Sequence, residues 1–200
     1  MKAVHFMVPG IVATLLTMVT VMLTSMAIVR EKEMGTMEQV LVTPISPVVL
    51  LAGKLATFAI LGLIEVTIAL TTGVLWFGIP FAGSPVLLFA LSGIYLITTL
   101  GIGLFFSTVT STQQQAMFFA WFFSVFAILT SGFLTPVSNM PDWLQYFTII
   151  NPMRHFVTIV RGIMMRAATL ADLTNPIVHL LLFGILIFTL AAARFNKRLS

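Results

Sequence analysis

The sequence predicts an all-α integral membrane protein with about five transmembrane helices. Its 200 residues are 59% hydrophobic and 8% charged, whereas a typical soluble domain has roughly 25% charged residues. The mean hydropathy is +1.10. A chain of this size cannot hide so many apolar side chains in one soluble core, because much of its surface would remain in water. Lipid is therefore the predicted solvent for most of this surface.

Five apolar stretches are long enough to cross about 30 Å of hydrocarbon, which takes about 20 helical residues. The predicted spans are residues 6–29, 55–77, 85–109, 116–134 and 176–193. Pro85 and Pro176 open the third and fifth spans, and proline suits the first turn of a helix. The fourth has a clean apolar run only to about Ser131. It either crosses with the help of Phe133 and Leu134, or dips into the bilayer and returns.

Basic residues near the span ends predict the orientation of the chain, because Lys and Arg concentrate on the cytoplasmic side. If all five spans cross, loop 30–54 and tail 194–200 share one side with six basic residues, against four on the other. We therefore predict a cytoplasmic loop and C-terminus and an outside N-terminus, which favours a further span before these residues in a longer protein. Basic residues in these places predict no nucleic-acid partner.

The loop after the first span predicts a short helix between two breaks. Charged residues 30–33 end the first span, and Gly35 follows. Thr36 and Gln39 have the spacing of a capping box, and Pro44 disfavours helix at the residue before it. Ser46 and Pro47 form a second start signal, for a helix that leads into the second span.

The predicted short helix has one apolar face, formed by Met37, Val40 and Leu41. So short a helix is unstable alone in water, so it must pack on something. Two alternatives remain open on these residues: an interfacial elbow on lipid headgroups, or a helix presented to a soluble partner.

The same stretch resembles a known family signature. The run Arg30-Glu31-Lys32-Glu33-x-Gly35-Thr36-x-Glu38-Gln39-x-Leu41-x-Thr43-Pro44 is similar to that of type-2 ATP-binding-cassette (ABC) export permeases. The similarity continues through Ser131-Gly132-Phe133-x-x-Pro136, Asn151-Pro152 and the last span. It covers essentially the whole chain, which implies one transmembrane permease domain over residues 1–200 and a multi-pass location in the plasma (bacterial inner) membrane.

The resemblance implies that the charged loop carries a cytoplasmic coupling helix that docks on a separate soluble ABC ATPase subunit. The implied ATPase-coupling residues are Arg30, Glu31, Glu33, Gly35, Thr36, Met37, Glu38, Gln39, Leu41 and Pro44. ATP and Mg would bind that partner, and no cofactor would bind this chain. A second permease copy, identical or different, would complete the membrane part. Residues 135–170 would form an external re-entrant helical hairpin, and an additional N-terminal span is expected in the family.

The function implied is efflux by an ABC transporter whose permease subunit is not itself an enzyme, and the mostly apolar path with few charges favours a hydrophobic or amphipathic substrate. No GxxxxGK[ST] phosphate loop occurs in the sequence. It also has no cysteine, and His5, His155 and His179 are dispersed, so no catalytic, cofactor or metal residue is predicted. The alternative is a secondary transporter or channel subunit with Glu65 in its pathway.

Glu65 near the middle of the second span is the first candidate pathway residue. An ionised side chain there costs about 2.5–3.5 kcal/mol on insertion scales, so it should face protein or water. It either serves the pathway or coupling, or is a carboxyl group hydrogen-bonded to Ser or Thr of a neighbouring helix. Thr17 and Thr24 belong to a hydroxyl-bearing face of the first span, which either packs on another helix or lines the pathway.

The external segment contains two predicted helices separated by Asn151-Pro152. Candidate residues for an external lid are Trp143, Phe147, Asn151 and Pro152, and the alternative is an inert interfacial anchor. In the second helix, Arg154 and Arg161 share one face while apolar side chains occupy the others, which predicts an amphipathic helix.

Overall fold

The computed structural model describes residues 3–35 and 47–199, and all regular structure in these ranges is helical. The α-helices are α1 (Ala3–Glu33), α2 (Pro47–Leu75), α3 (Pro85–Val109), α4 (Gln113–Thr130), α5 (Asp142–Thr148), α6 (Pro152–Arg166) and α7 (Thr174–Leu199). A single 3₁₀ turn, Val137–Asn139, precedes α5. The predicted all-α class is confirmed for the described part of the chain.

Four of the described helices are long and apolar enough to cross a membrane: Met7–Glu33, Val49–Leu75, Pro85–Val109 and Thr174–Arg194. They correspond to the first, second, third and fifth predicted spans. The fourth predicted span coincides with α4, which ends at Thr130 and, because its 18 residues begin with three glutamines, is less apolar than these four helices. A multi-pass protein follows, and the count of five crossings remains a prediction.

Capping residues and glycines fix the helix ends. Ser84 caps α3 by accepting a hydrogen bond from the Leu87 amide at 3.4 Å. Thr112 caps α4 in the same way, three residues before its partner Gln115. After α4 the chain turns at Gly132, whose φ of +77° lies in the left-handed region. The turn explains why α4 stops before the predicted bound at residue 134.

Helix α3 lies at the centre of the bundle and contacts α1, α2, α6 and α7. Its contact with α1 is close at Gly103, where an added Cβ would lie 2.7 Å from the Cβ of Thr24. Small residues permit such close approach of membrane helices. Van der Waals contact between α1 and α3 therefore holds this part of the bundle together.

The amphipathic helix α6 packs its apolar face into the main hydrophobic core. Met153, Phe156, Ile159 and Ile163 are fully buried there, as the predicted division of faces requires. Packing against α1, α3 and α7 makes α6 an integral part of the fold.

Candidate functional site

The charged end of α1 is tied to two neighbouring helices. Glu31 forms an ion pair with Lys54 near the start of α2. Lys32 donates a hydrogen bond from Nζ to the backbone carbonyl of Ser107 in the last turn of α3. These contacts fix the neighbouring ends of α1, α2 and α3 relative to one another.

Glu33 extends the same set of contacts to α4. One carboxylate oxygen accepts from the Gln113 backbone amide at 3.0 Å, and the other accepts from its side-chain Nε2 at 2.5 Å. Gly35 ends the described stretch with a φ of +67°, and Arg30 is exposed beside it. The sequence placed charges here but did not show that they join four helices.

The remaining predicted coupling residues lie outside the described residues. They are Thr36, Met37, Glu38, Gln39, Leu41 and Pro44. Their role in docking an ATPase stays a prediction. Helix α2 begins at Pro47, where the sequence predicted its start.

Glu65 lies in an apolar groove of about 790 Å³ between α1 and α2. Its Oε2 is shielded from solvent and has no hydrogen-bond partner among the described residues. One of the two alternatives for Glu65 was a hydrogen bond to a Ser or Thr hydroxyl of a neighbouring helix. No such bond is formed at Oε2 within the described part of the chain. The volume of this groove lies within the range that ligand pockets commonly have.

Thr17 and Thr24 lie inside the helix bundle. The Thr17 hydroxyl is 2.5 Å from the Tyr95 hydroxyl of α3, and the Tyr95 ring stacks on Phe156 of α6 at 4.1 Å between centroids. Thr24 is buried against Gly103. These positions agree with the packing alternative, and a pathway role for the two threonines stays untested.

Three of the four candidate lid residues come together around a small cavity of about 140 Å³, namely Phe147, Asn151 and Pro152. Trp143 is exposed and packs edge-on against Phe147, with ring centroids 6.4 Å apart. Asn151 is buried, and its side-chain amide donates to the carbonyl of Ala127 in α4. The turn between α5 and α6 is thus anchored to α4, while Trp143 and Phe147 in α5 are exposed.

A stacked histidine pair joins α6 to α7. The sequence did not indicate this pair, because the two histidines are far apart in the chain. The His155 and His179 rings lie 4.9 Å apart between centroids with an interplanar angle of 12°. His155 Nε2 lies 2.8 Å from the carbonyl of Ile149. Burial lowers the pKa of His155, and the neighbouring His179 and Arg154 lower it further against the effect of the Ile149 carbonyl.

Acid is therefore expected to destabilise the contact between α6 and α7. The folded state disfavours the protonated form of His155, whereas the unfolded chain binds a proton near the ordinary pKa of about 6.5. The stability that this preference contributes is present above that pH and is lost as the pH falls below it. Thermal unfolding between about pH 7.5 and 5.5 should show this loss in the unmodified protein and less of it in His155→Phe. An equal pH dependence in both proteins would contradict the assignment.

The long apolar helices, with charges tied together at one end and one carboxyl group in a groove between two of them, define a multi-pass helical membrane protein. The family model of ABC-2 type transporters matches residues 2–165. The chain therefore belongs to the ABC-2 type transporter family, as the sequence signature predicted.

Curated relatives agree with this family. The chain is 38% identical over 193 residues to the probable multidrug ABC transporter permease YbhR of Escherichia coli K12, covering 96% of this chain and 52% of YbhR. It is 32% identical to YbhS of the same organism, over 98% of this chain and 52% of YbhS. The linearmycin resistance permease protein LnrN of Bacillus subtilis 168 is 25% identical, over 87% of this chain and 45% of LnrN. The chain thus spans about half the length of the curated relatives it matches.

Proposed function

We propose that this chain is the membrane-spanning part of an ATP-driven exporter, powered by a separate soluble ABC ATPase that binds the ATP and Mg. A second permease copy, identical or different, completes the transporter. The names of the relatives, two multidrug permeases and a linearmycin resistance permease, support export of drug-like molecules. The apolar helix faces favour hydrophobic or amphipathic substrates.

The observation that carries the proposal is the set of contacts around the charged end of α1. Glu31 and Glu33 tie that end to the start of α2 and to the start of α4. Residues 36–46 connect α1 to α2 in the sequence, so a force applied to them would act on helices that these contacts tie together. Such rigid coupling is what an ATPase would need to change the helix arrangement.

Five crossings, with the C-terminus in the cytoplasm, form part of the proposal. Helix α4 has 18 residues, or about 27 Å at 1.5 Å per residue, which is close to the hydrocarbon thickness. Phe118, Phe122 and Phe126 form an exposed apolar row along it, a surface suited to lipid. The α5–α6 segment would then lie on the external side as a re-entrant hairpin and lid.

The test is co-purification of the full-length permease with its ABC ATPase from membranes. Met37→Asp puts a charge on the predicted apolar face of the coupling helix and is expected to reduce the recovered ATPase by about tenfold, as loss of an interface hot spot does. Asp142→Asn, which changes a charge in α5 instead, should leave recovery unchanged. Equal recovery with both variants, or no ATPase with the unmodified permease, would refute the proposed coupling.

A further inference from the structure

The groove between α1 and α2 has apolar walls that open to the surroundings. Helix α1 contributes an i, i+4 row of partly exposed side chains from Met7 to Leu23, and α2 contributes Leu61, Ile64 and Ile68. In a bilayer such a surface holds apolar groups by van der Waals packing, because the surrounding lipid is equally apolar. Hydrocarbon walls alone would accept any lipid chain and give no selectivity.

Glu65 makes the groove chemically specific. Among the described residues that line it, Glu65 is the only one with an ionisable side chain, and its Oε2 is without a hydrogen-bond donor. A carboxylate left in this condition near the middle of a span is costly. A positively charged occupant would offset that cost by placing an opposite charge next to the oxygen in a medium of low dielectric constant.

The long helices of a second copy, as far as the structure describes them, do not offer such a charge near their middles. The described long helices carry their basic residues near their ends, with Arg30 and Lys32 in α1, Lys54 in α2, and Arg194, Lys197 and Arg198 in α7. Lys54 is already paired with Glu31. A helix of a second copy packed in the groove would therefore bring no cation to Glu65.

We propose that this groove binds a lipophilic monovalent cation, with Glu65 as its counter-ion and the α1 and α2 side chains as its apolar walls. One carboxylate matches one positive charge. The groove volume of about 790 Å³ lies within the range of pockets that bind drug-sized ligands. The inference rests on the proposed export function and names the substrate class of that function.

The test is equilibrium binding of radiolabelled tetraphenylphosphonium to the full-length permease in lipid nanodiscs, with empty nanodiscs as background. Tetraphenylborate has nearly the same shape and the opposite charge, so it should not compete. Glu65→Gln keeps the shape of the side chain without its charge and should weaken binding by about tenfold or more. Glu65→Asp keeps the charge and should retain more affinity than Glu65→Gln. Asp172→Asn, which removes an external carboxylate that is bonded to Thr169, should leave affinity unchanged.

Several results would overturn the inference: no saturable binding to the unmodified chain, equal affinity in Glu65→Gln, or competition by tetraphenylborate as strong as by unlabelled cation. Because the chain contains no cysteine, a single Ile68→Cys also reports the occupant. A disulfide between two copies that tetraphenylphosphonium does not prevent would show a second copy in the groove and overturn the proposal. If Glu65→Gln fails to fold, the cation–anion comparison on the unmodified chain decides alone. Failure of ATPase co-purification concerns the proposed function, and unchanged binding in Glu65→Gln concerns this inference only.

Discussion

Replacing Asn151 with alanine is expected to lower the free energy of unfolding by about 3 kcal/mol. The side-chain amide of Asn151 donates to the Ala127 carbonyl and to the Thr130 hydroxyl, each at 2.8 Å, and its Oδ1 accepts from the Met153 amide at 2.9 Å. The last bond caps α6, and such caps contribute about 1 kcal/mol. The first two join the end of α4 to the start of α6. Their loss leaves a buried carbonyl without its donor, which costs about 1–3 kcal/mol.

The measurement is equilibrium unfolding in mixed micelles, followed by circular dichroism. Asn139→Ala is the matched control, since Asn139 is exposed in the 3₁₀ turn and surface substitutions usually change stability by less than about 0.5 kcal/mol. A loss of stability in Asn151→Ala no larger than in the control would show that the three hydrogen bonds do not hold α6 to α4.

Replacing Gly103 with leucine is expected to prevent normal packing of α1 on α3. Even a Cβ at this position would lie 2.7 Å from the Thr24 Cβ and 3.0 Å from the backbone oxygen of Val21. Because one of these atoms belongs to the backbone of α1, relief requires the whole helix to move. Overpacking of a core typically costs about 1–3 kcal/mol of stability. The cost of the full leucine side chain should lie well above the lower end of this range.

Gly93→Leu provides a control in the same helix, since a Cβ at Gly93 meets no other atom within 4 Å. The yield of monodisperse protein and its thermal unfolding midpoint should fall sharply for Gly103→Leu and stay near normal for Gly93→Leu. Gly103→Ala should give an intermediate result. Equal behaviour of the two leucine variants would contradict the close contact between α1 and α3.

The helical architecture and the family could be predicted from the sequence because both depend on local information. Pro85 and the capping residue Ser84 begin α3 where the sequence placed the third span. Hydropathy summed over about 20 residues identifies the long spans, since transfer to lipid is roughly additive along a helix. The capping-box stretch after Gly35 carried the family signature without any knowledge of tertiary contacts.

The partners of individual side chains could not be predicted in the same way. Glu33 bonds to Gln113, eighty positions away in the chain, and His155 stacks on His179 across two helices. The Thr17 hydroxyl is hydrogen-bonded to the Tyr95 hydroxyl, although the position of Thr17 on its helix face allowed either a packing role or a place in the pathway. Each pairing depends on how the helices rotate and approach one another, which periodicity within one helix does not specify.

By itself the sequence determined that lipid is the solvent of this protein, where its long helices run and which family it belongs to. Only the tertiary structure decided that the charges after α1 join four helices and that Glu65 has an oxygen without a hydrogen-bond donor. The physical reason is that burial in a bilayer depends on the apolar area of each segment, whereas a hydrogen bond depends on distances of about 3 Å between atoms of different segments.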